Sequence, residues 1–215
     1  MSDDLFAAAG FIEPRLAAEF PGLELRWLTV AARPRPSPPE LKGRLRLLSD
    51  RYRGASVIAM RTQPIAQAYR AFFRQIGLDP DVTRIPSEEA AVSRLLSGRL
   101  QSRDAVSDAL LVALAETGVA VWALDADLVS AGGLGIRATF IGDRLGDTGL
   151  SLPPDRLVVA DARRVHAMLF GALAPGHAPG PRTRRIVLFS VGVDGVPAIH
   201  TEEALWLAAE LLEVA

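Results

Sequence analysis

Apolar and polar residues alternate through Leu23-Glu24-Leu25-Arg26-Trp27-Leu28-Thr29-Val30, and a period of two predicts a half-buried strand. A short helix around Pro14 to Phe20 precedes it, with a turn at Pro21-Gly22 between them. Further on the period lengthens. Ile65, Ala68, Tyr69, Phe72 and Ile76 recur every three or four residues behind Pro64, which predicts an amphipathic helix stopped by Gly77. A second helix is expected from Ser87 as N-cap, with Glu88 and Glu89 in the positive field of its first turn and Gly98 at its end. A third runs from Asp104 to Thr117-Gly118, and a final one starts at Thr201 with Leu205, Ala208, Ala209 and Leu212 as its buried stripe. Runs of β-branched and aliphatic residues predict strands at 119–124, 134–141, 157–160 and 186–191. Two segments, Ala32 to Glu40 and Leu173 to Arg185, carry too much Pro and Gly for regular structure and read as loops. Helices fall mainly in the N-terminal half and strands late, without βαβ alternation. The pattern predicts an α+β fold, a mixed sheet in a single domain over 1–215.

The 215-residue chain is 49% hydrophobic and 23% charged with a net charge of −1, values ordinary for a globular protein. It has no cysteine, which excludes disulfides, thiolate nucleophiles and cysteine metal sites. No apolar run approaches the roughly 20 residues of a membrane span, and the acidic start MSDDLF lacks the basic region of a secretory signal, so a cytoplasmic location is expected. Of 24 basic residues only Lys42 is a lysine. Arginine's planar fork suits phosphate, and a base bias in the genome would produce the same count.

Candidate chemistry is sparse. Asp108, Asp125 and Asp161 stand at the ends or faces of predicted elements, where carboxylates commonly cap backbone N–H groups, and a pairing of Asp125 or Asp161 with Arg137 is expected. His166, His177 and His200 lie in separate segments, none at a known spacing from a nucleophile, so no catalytic residue, metal or cofactor is assigned. The run from Gly133 to Ala138 mimics a dinucleotide fingerprint, but a strand and not a helix should follow it. Arginines cluster at Arg44, Arg46, Arg51 and Arg53, and again at Arg182, Arg184 and Arg185; the second set is the candidate RNA-binding segment. Trp27 and Trp206 read as core anchors.

The order of motifs between Arg61 and Phe189 resembles the tRNA-binding and editing domain of the phenylalanyl-tRNA synthetase beta subunit. The residues that carry it are Pro86, Ser87, Glu89 and Arg94; Val106 and Asp108; Ala123 and Asp125; Arg137; and Val158, Ala160 and Asp161. The resemblance implies an α+β fold and a pocket that includes Asp108, Arg137 and the positions of Trp122 and Phe189. Three positions depart from the family's pattern. Leu111 stands for an asparagine, Trp122 for a histidine that looks onto the editing pocket, and Phe189 for a glutamate. Polar pocket walls have become apolar, so a preference for apolar or aromatic groups over a hydroxyl is expected. By this resemblance the chain is a free-standing protein that binds tRNA or aminoacyl-tRNA and deacylates it if active. The alternatives are a noncatalytic pocket for an amino acid or related metabolite lined by Trp122 and Phe189, and a protein-interaction scaffold.

Overall fold

The computed structural model describes residues 6–52 and 54–214. The chain opens with β1 (Ala8–Ala9) and β2 (Phe11–Ile12), followed by α1 (Pro14–Glu19) and β3 (Glu24–Val30). Five helices come next: α2 (Pro39–Arg51), α3 (Gly54–Met60), α4 (Pro64–Gln75), α5 (Pro86–Ser97) and α6 (Ala105–Thr117). Strands β4 (Val121–Asp125), β5 (Gly135–Ala138), β6 (Leu157–Ala160), β7 (Val165–Met168) and β8 (Ile186–Gly192) complete the sheets, and α7 (Ala198–Val214) ends the described chain.

The α+β class is therefore observed, with strands in two four-stranded sheets instead of one mixed sheet. The first, ordered β1-β3-β8-β4, is antiparallel throughout; the second, β2-β5-β6-β7, is antiparallel apart from the parallel pair β2 and β5. Gly10 lets the chain pass from one sheet to the other between β1 and β2. A Cβ built there would stand 2.5 Å from the Leu134 carbonyl oxygen and 2.6 Å from Leu25, so only glycine fits the crossing.

Strand β8 is buried along its whole length because both its faces are covered. Ser190 donates from one face to the Thr201 carbonyl of α7. Phe189, one residue earlier, must point to the other face, where Trp27 of β3 and Trp122 of β4 lie directly opposite it in register. Leu124, Leu188, Leu205, Ala208 and Ala209 belong to the main core, each large side chain contributing about 1.5–3 kcal/mol on burial. A second cluster joins Leu41, Leu45 and Leu48 of α2 to Ala91 of α5 and Val112 of α6.

Local rules explain most helix ends. Asp104 caps α6 by accepting from the Ser107 amide at 3.0 Å, and Gly98 and Gly118 end α5 and α6 in the left-handed conformation. Two expected caps are corrected. Ile85, not Ser87, is the N-cap of α5, because Pro86 takes the first helical position; Ser87 is the second residue of the helix. Thr201 lies one turn inside α7 and donates to the Ala198 carbonyl. Helix α2 is missing from the sequence expectation although Leu41, Leu45 and Leu48 carry a helical stripe, because the proline run masks its start. Trp206 is 39% exposed and so is no core anchor, whereas Trp27 packs against the main core.

Candidate aromatic and cationic groove

Trp122 and Phe189 are cross-strand neighbours, and opposed residues on one face stand about 4.5–5.5 Å apart at Cβ. Their rings accordingly stack on each other, with centroids 5.5 Å apart and planes inclined by 12°. No hollow separates them, and Phe189 is 1% exposed. The expected pocket between these two rings is thus corrected to a packed pair. Since β4 is an edge strand, Phe189 covers the inner side of the Trp122 ring and the other flank of Trp122 faces outward.

That flank borders a groove of about 390 Å³ with Phe170, Leu110, Leu111 and Leu114, rimmed by Arg84 and Glu89. Phe170 follows β7 and holds an uncommon left-handed conformation, φ 55°. Its ring meets Tyr69, Phe72, Phe73 and Trp122 at centroid distances of 5.6, 5.9, 5.3 and 5.9 Å. A bulky residue at positive φ is strained, and this one is held by aromatic contacts that build the groove floor.

The groove continues along the seam between α5 and α6. Glu89 and Leu111 are shared with a second depression of about 330 Å³ that also touches Ser93, Arg94 and Ser107. Arg99, Leu100, Gln101 and Arg103 are in turn shared with a third, of about 350 Å³, bordered by Lys42 and Arg46 of α2. From Ser107 to Leu114 the path follows about 10 Å of helix at 1.5 Å per residue. One end is aromatic. The other carries four cations, Lys42, Arg46, Arg99 and Arg103, which make no ion pair among the described residues, and no acid borders that end.

The loop that presents Arg99 and Arg103 is fixed at both ends. The Leu100 amide donates to Ser49 Oγ at 3.2 Å, and Arg94 Nε donates to the Ser49 carbonyl at 2.9 Å. At the other end Asp108, fully buried in the first turn of α6, accepts from Ser37 Oγ at 2.5 Å, Ser102 Oγ at 2.6 Å and the Arg103 amide at 2.8 Å. Asp108 therefore braces two loops against α6 and does not line the groove.

Arg137 is also elsewhere. It forms a two-pronged pair with Asp143, at 2.6 and 3.1 Å, and its guanidinium lies 5.3 Å from the Phe140 ring centre. Hydrogen bonds from Arg137 hold the Asp143 carboxyl below its usual range. The expected partners are corrected: Asp125 accepts from Thr183 Oγ1 at 2.5 Å and from the Asp127 amide, and Asp161 turns to backbone amides and His166. The segment Arg182 to Arg185 does not border the groove. Arg185 pairs with Asp127 at 2.9 Å, Arg184 donates to the carbonyls of Pro181 and Thr183, and Arg182 is exposed. Of the other arginine cluster, Arg44 is held by Glu116 at 2.7 Å, Arg46 borders the cationic end, and Arg53 lies outside the described residues.

The fold unites two histidines that stand apart in sequence. His166 on β7 and His177 in the loop before β8 approach with Nδ1 atoms 2.9 Å apart, both rings buried. His166 Nε2 stands 3.0 Å from Asp161 Oδ2, off the line of a well-formed hydrogen bond, so the attraction is mainly electrostatic. Burial alone would raise Asp161, but His166 and the amides of Ser130, Arg163 and Arg164 hold its carboxyl well below the usual carboxylate range. Burial pushes both imidazoles below their ordinary value, against Asp161 for His166 and with the help of His166 for His177. With neutral His166 keeping its proton on Nε2 toward Asp161, its Nδ1 accepts a hydrogen bond from the Nδ1–H of His177, which leaves the lone pair of His177 on Nε2. A Cβ at Gly146 would stand 3.1 Å from that nitrogen. Among the described residues no group of three or more His, Asp or Glu side chains is placed to hold a metal ion, and no helix is long and apolar enough to cross a membrane. No family model matches the chain, and no curated protein matches it.

Proposed function

We propose that this chain binds RNA along the α5–α6 groove, holding the aminoacylated end of a tRNA. The terminal base or the aminoacyl group rests against Trp122 and Phe170, and backbone phosphates follow Arg103, Arg99, Arg46 and Lys42. The observation that carries this reading is the continuity of the groove, aromatic at one end and cationic without a bordering acid at the other. Single strands are held by that combination, stacking platforms joined to a positive track. The motif order that resembles the synthetase domain points the same way. Among the described residues no histidine borders the groove, so any ester hydrolysis there would rest on positioned water and the tRNA's own hydroxyl.

The test is anisotropy of a labelled aminoacyl-tRNA carrying a non-hydrolysable amide at its end. Four phosphate contacts on a single strand give a salt slope of about −2.8, or roughly fiftyfold weaker binding between 50 and 200 mM salt. Arg99→Ala with Arg103→Ala should reduce that loss to about sevenfold. Trp122→Ala should weaken binding about tenfold or more while leaving the slope unchanged. Wild-type affinity in both variants, or absence of binding, overturns the reading. A time course of ester loss from ordinary aminoacyl-tRNA decides whether holding is accompanied by deacylation.

A second reading is favoured by the size of the aromatic end, about 390 Å³, which matches a free amino acid or related metabolite. Thermal stabilisation by free amino acids without RNA binding selects it.

A further inference from the structure

A further cavity of about 380 Å³, which meets the aromatic end of the groove at Leu114, lies where the C-terminus of α6 approaches the beginnings of α4, α5 and α7. Its walls are apolar where Met60, Ile65, Leu114 and Ala115 line them. Helix α4 begins with Pro64, and its N-cap Gln63 makes no side-chain cap. The next two amides, of Ile65 and Ala66, donate to no backbone carbonyl outside the helix among the described residues and are too near its start to bond within it. Both residues border the cavity.

The second observation is independent of the helix start. Ser87, the second residue of α5, borders the same cavity and is 5% exposed, and its hydroxyl makes no hydrogen bond among the described residues. Its neighbour Glu88 is tied to Arg70 of α4 by two bonds of 3.0 Å, which fixes α5 against α4 and holds Ser87 in place. The hydroxyl is therefore open to the cavity and available to donate to a group held there.

We infer that this cavity is a binding site for a small monocarboxylate with an apolar body. The two free amides of α4 and the Ser87 hydroxyl supply donors for one anionic head, in the positive field of a 12-residue helix. A doubly charged phosphate is disfavoured. Among the described lining residues there is no lysine or arginine, and the one carboxylate there, Glu116, is held by Arg44 at 2.8 and 2.7 Å. At about 30 Å³ per water-sized unit the space takes roughly a dozen heavy atoms, which octanoate fills.

The experiment is thermal unfolding of the full chain with octanoate, and with octanamide as the neutral isostere. Octanoate should raise Tm in proportion to the logarithm of its concentration, with octanamide at least tenfold weaker. Ser87→Ala should weaken octanoate about tenfold. Ala115→Trp, which fills the cavity, should abolish the effect while RNA binding along the α5–α6 groove persists, and that binding also reports that the variant folds. Equal stabilisation by octanoate and octanamide, no stabilisation by either, or an unchanged response in Ser87→Ala overturns the inference. Loss of RNA binding alone leaves it standing, since the cavity and the groove share only the Leu114 side chain and none of their polar groups.

Discussion

Replacing Asp108 with alanine tests whether this carboxylate is a brace or a ligand contact. It accepts three hydrogen bonds, from Ser37 Oγ, Ser102 Oγ and the Arg103 amide, at 0% exposure. Bonds to a charged acceptor are worth about 1.5–3 kcal/mol each, so the gross loss approaches roughly 5–9 kcal/mol. Ser102 and Arg103 are exposed and recover water as partner; Ser37, at 5% exposure, does not. Removing the buried charge also returns its desolvation cost. The net expectation is about 2–4 kcal/mol, or a Tm lower by roughly 4–16 °C for a chain of this size. Urea denaturation followed by far-UV circular dichroism should show a lower midpoint at constant slope. The loop should loosen as well, so that trypsin cuts at Arg99 and Arg103 faster than in the parent protein. A stability change below about 0.5 kcal/mol, with unchanged cleavage, refutes the brace. Weaker RNA binding without loss of stability would return Asp108 to the ligand.

Two further outcomes follow from the buried clusters. Phe170→Ala should cost about 2–4 kcal/mol through lost ring contacts, and Phe170→Gly should cost about 1 kcal/mol less than alanine because glycine accepts φ 55°; equal losses in chemical denaturation would contradict the strain. His166 and His177 are held below their ordinary value of 6.5, so below that pH the unfolded chain binds more protons than the folded one. Their stabilisation is complete above about pH 7 and falls as pH drops through 6.5 toward the folded values. Tm measured from pH 8 to 5 should fall more steeply for the parent than for His166→Asn with His177→Asn, and parallel curves would refute the assignment.

Local periodicity made several elements legible. The stripes behind Pro64 and Asp104 and the aliphatic run at 157–160 became α4, α6 and β6, because each carries its start or stop signal and its buried face within one segment. The α+β class followed from their order. Two sheets in place of one could not be read, because the crossover depends on space at Gly10 between Leu25 and Leu134, which no spacing encodes. Trp122 and Phe189 were visible as candidates, yet only their registered pairing across β4 and β8 turned an expected hollow into stacked rings.

The same division holds for charge. Composition established that nearly all cations are arginine and nearly balanced by acids. Which of them remain free was decided by tertiary contacts that pair Arg44, Arg137 and Arg185 with carboxylates and leave Lys42, Arg46, Arg99 and Arg103 together at one end of a groove. His166 and His177, 11 residues apart, meet only because the turn after β7 folds the chain back on itself. The chain's own order determined its helices, strands and the absence of thiol chemistry, since those depend on neighbours within a few residues. The groove, the cavity and the buried histidine pair belong to the tertiary structure, because each is made by side chains that only packing brings within bonding distance.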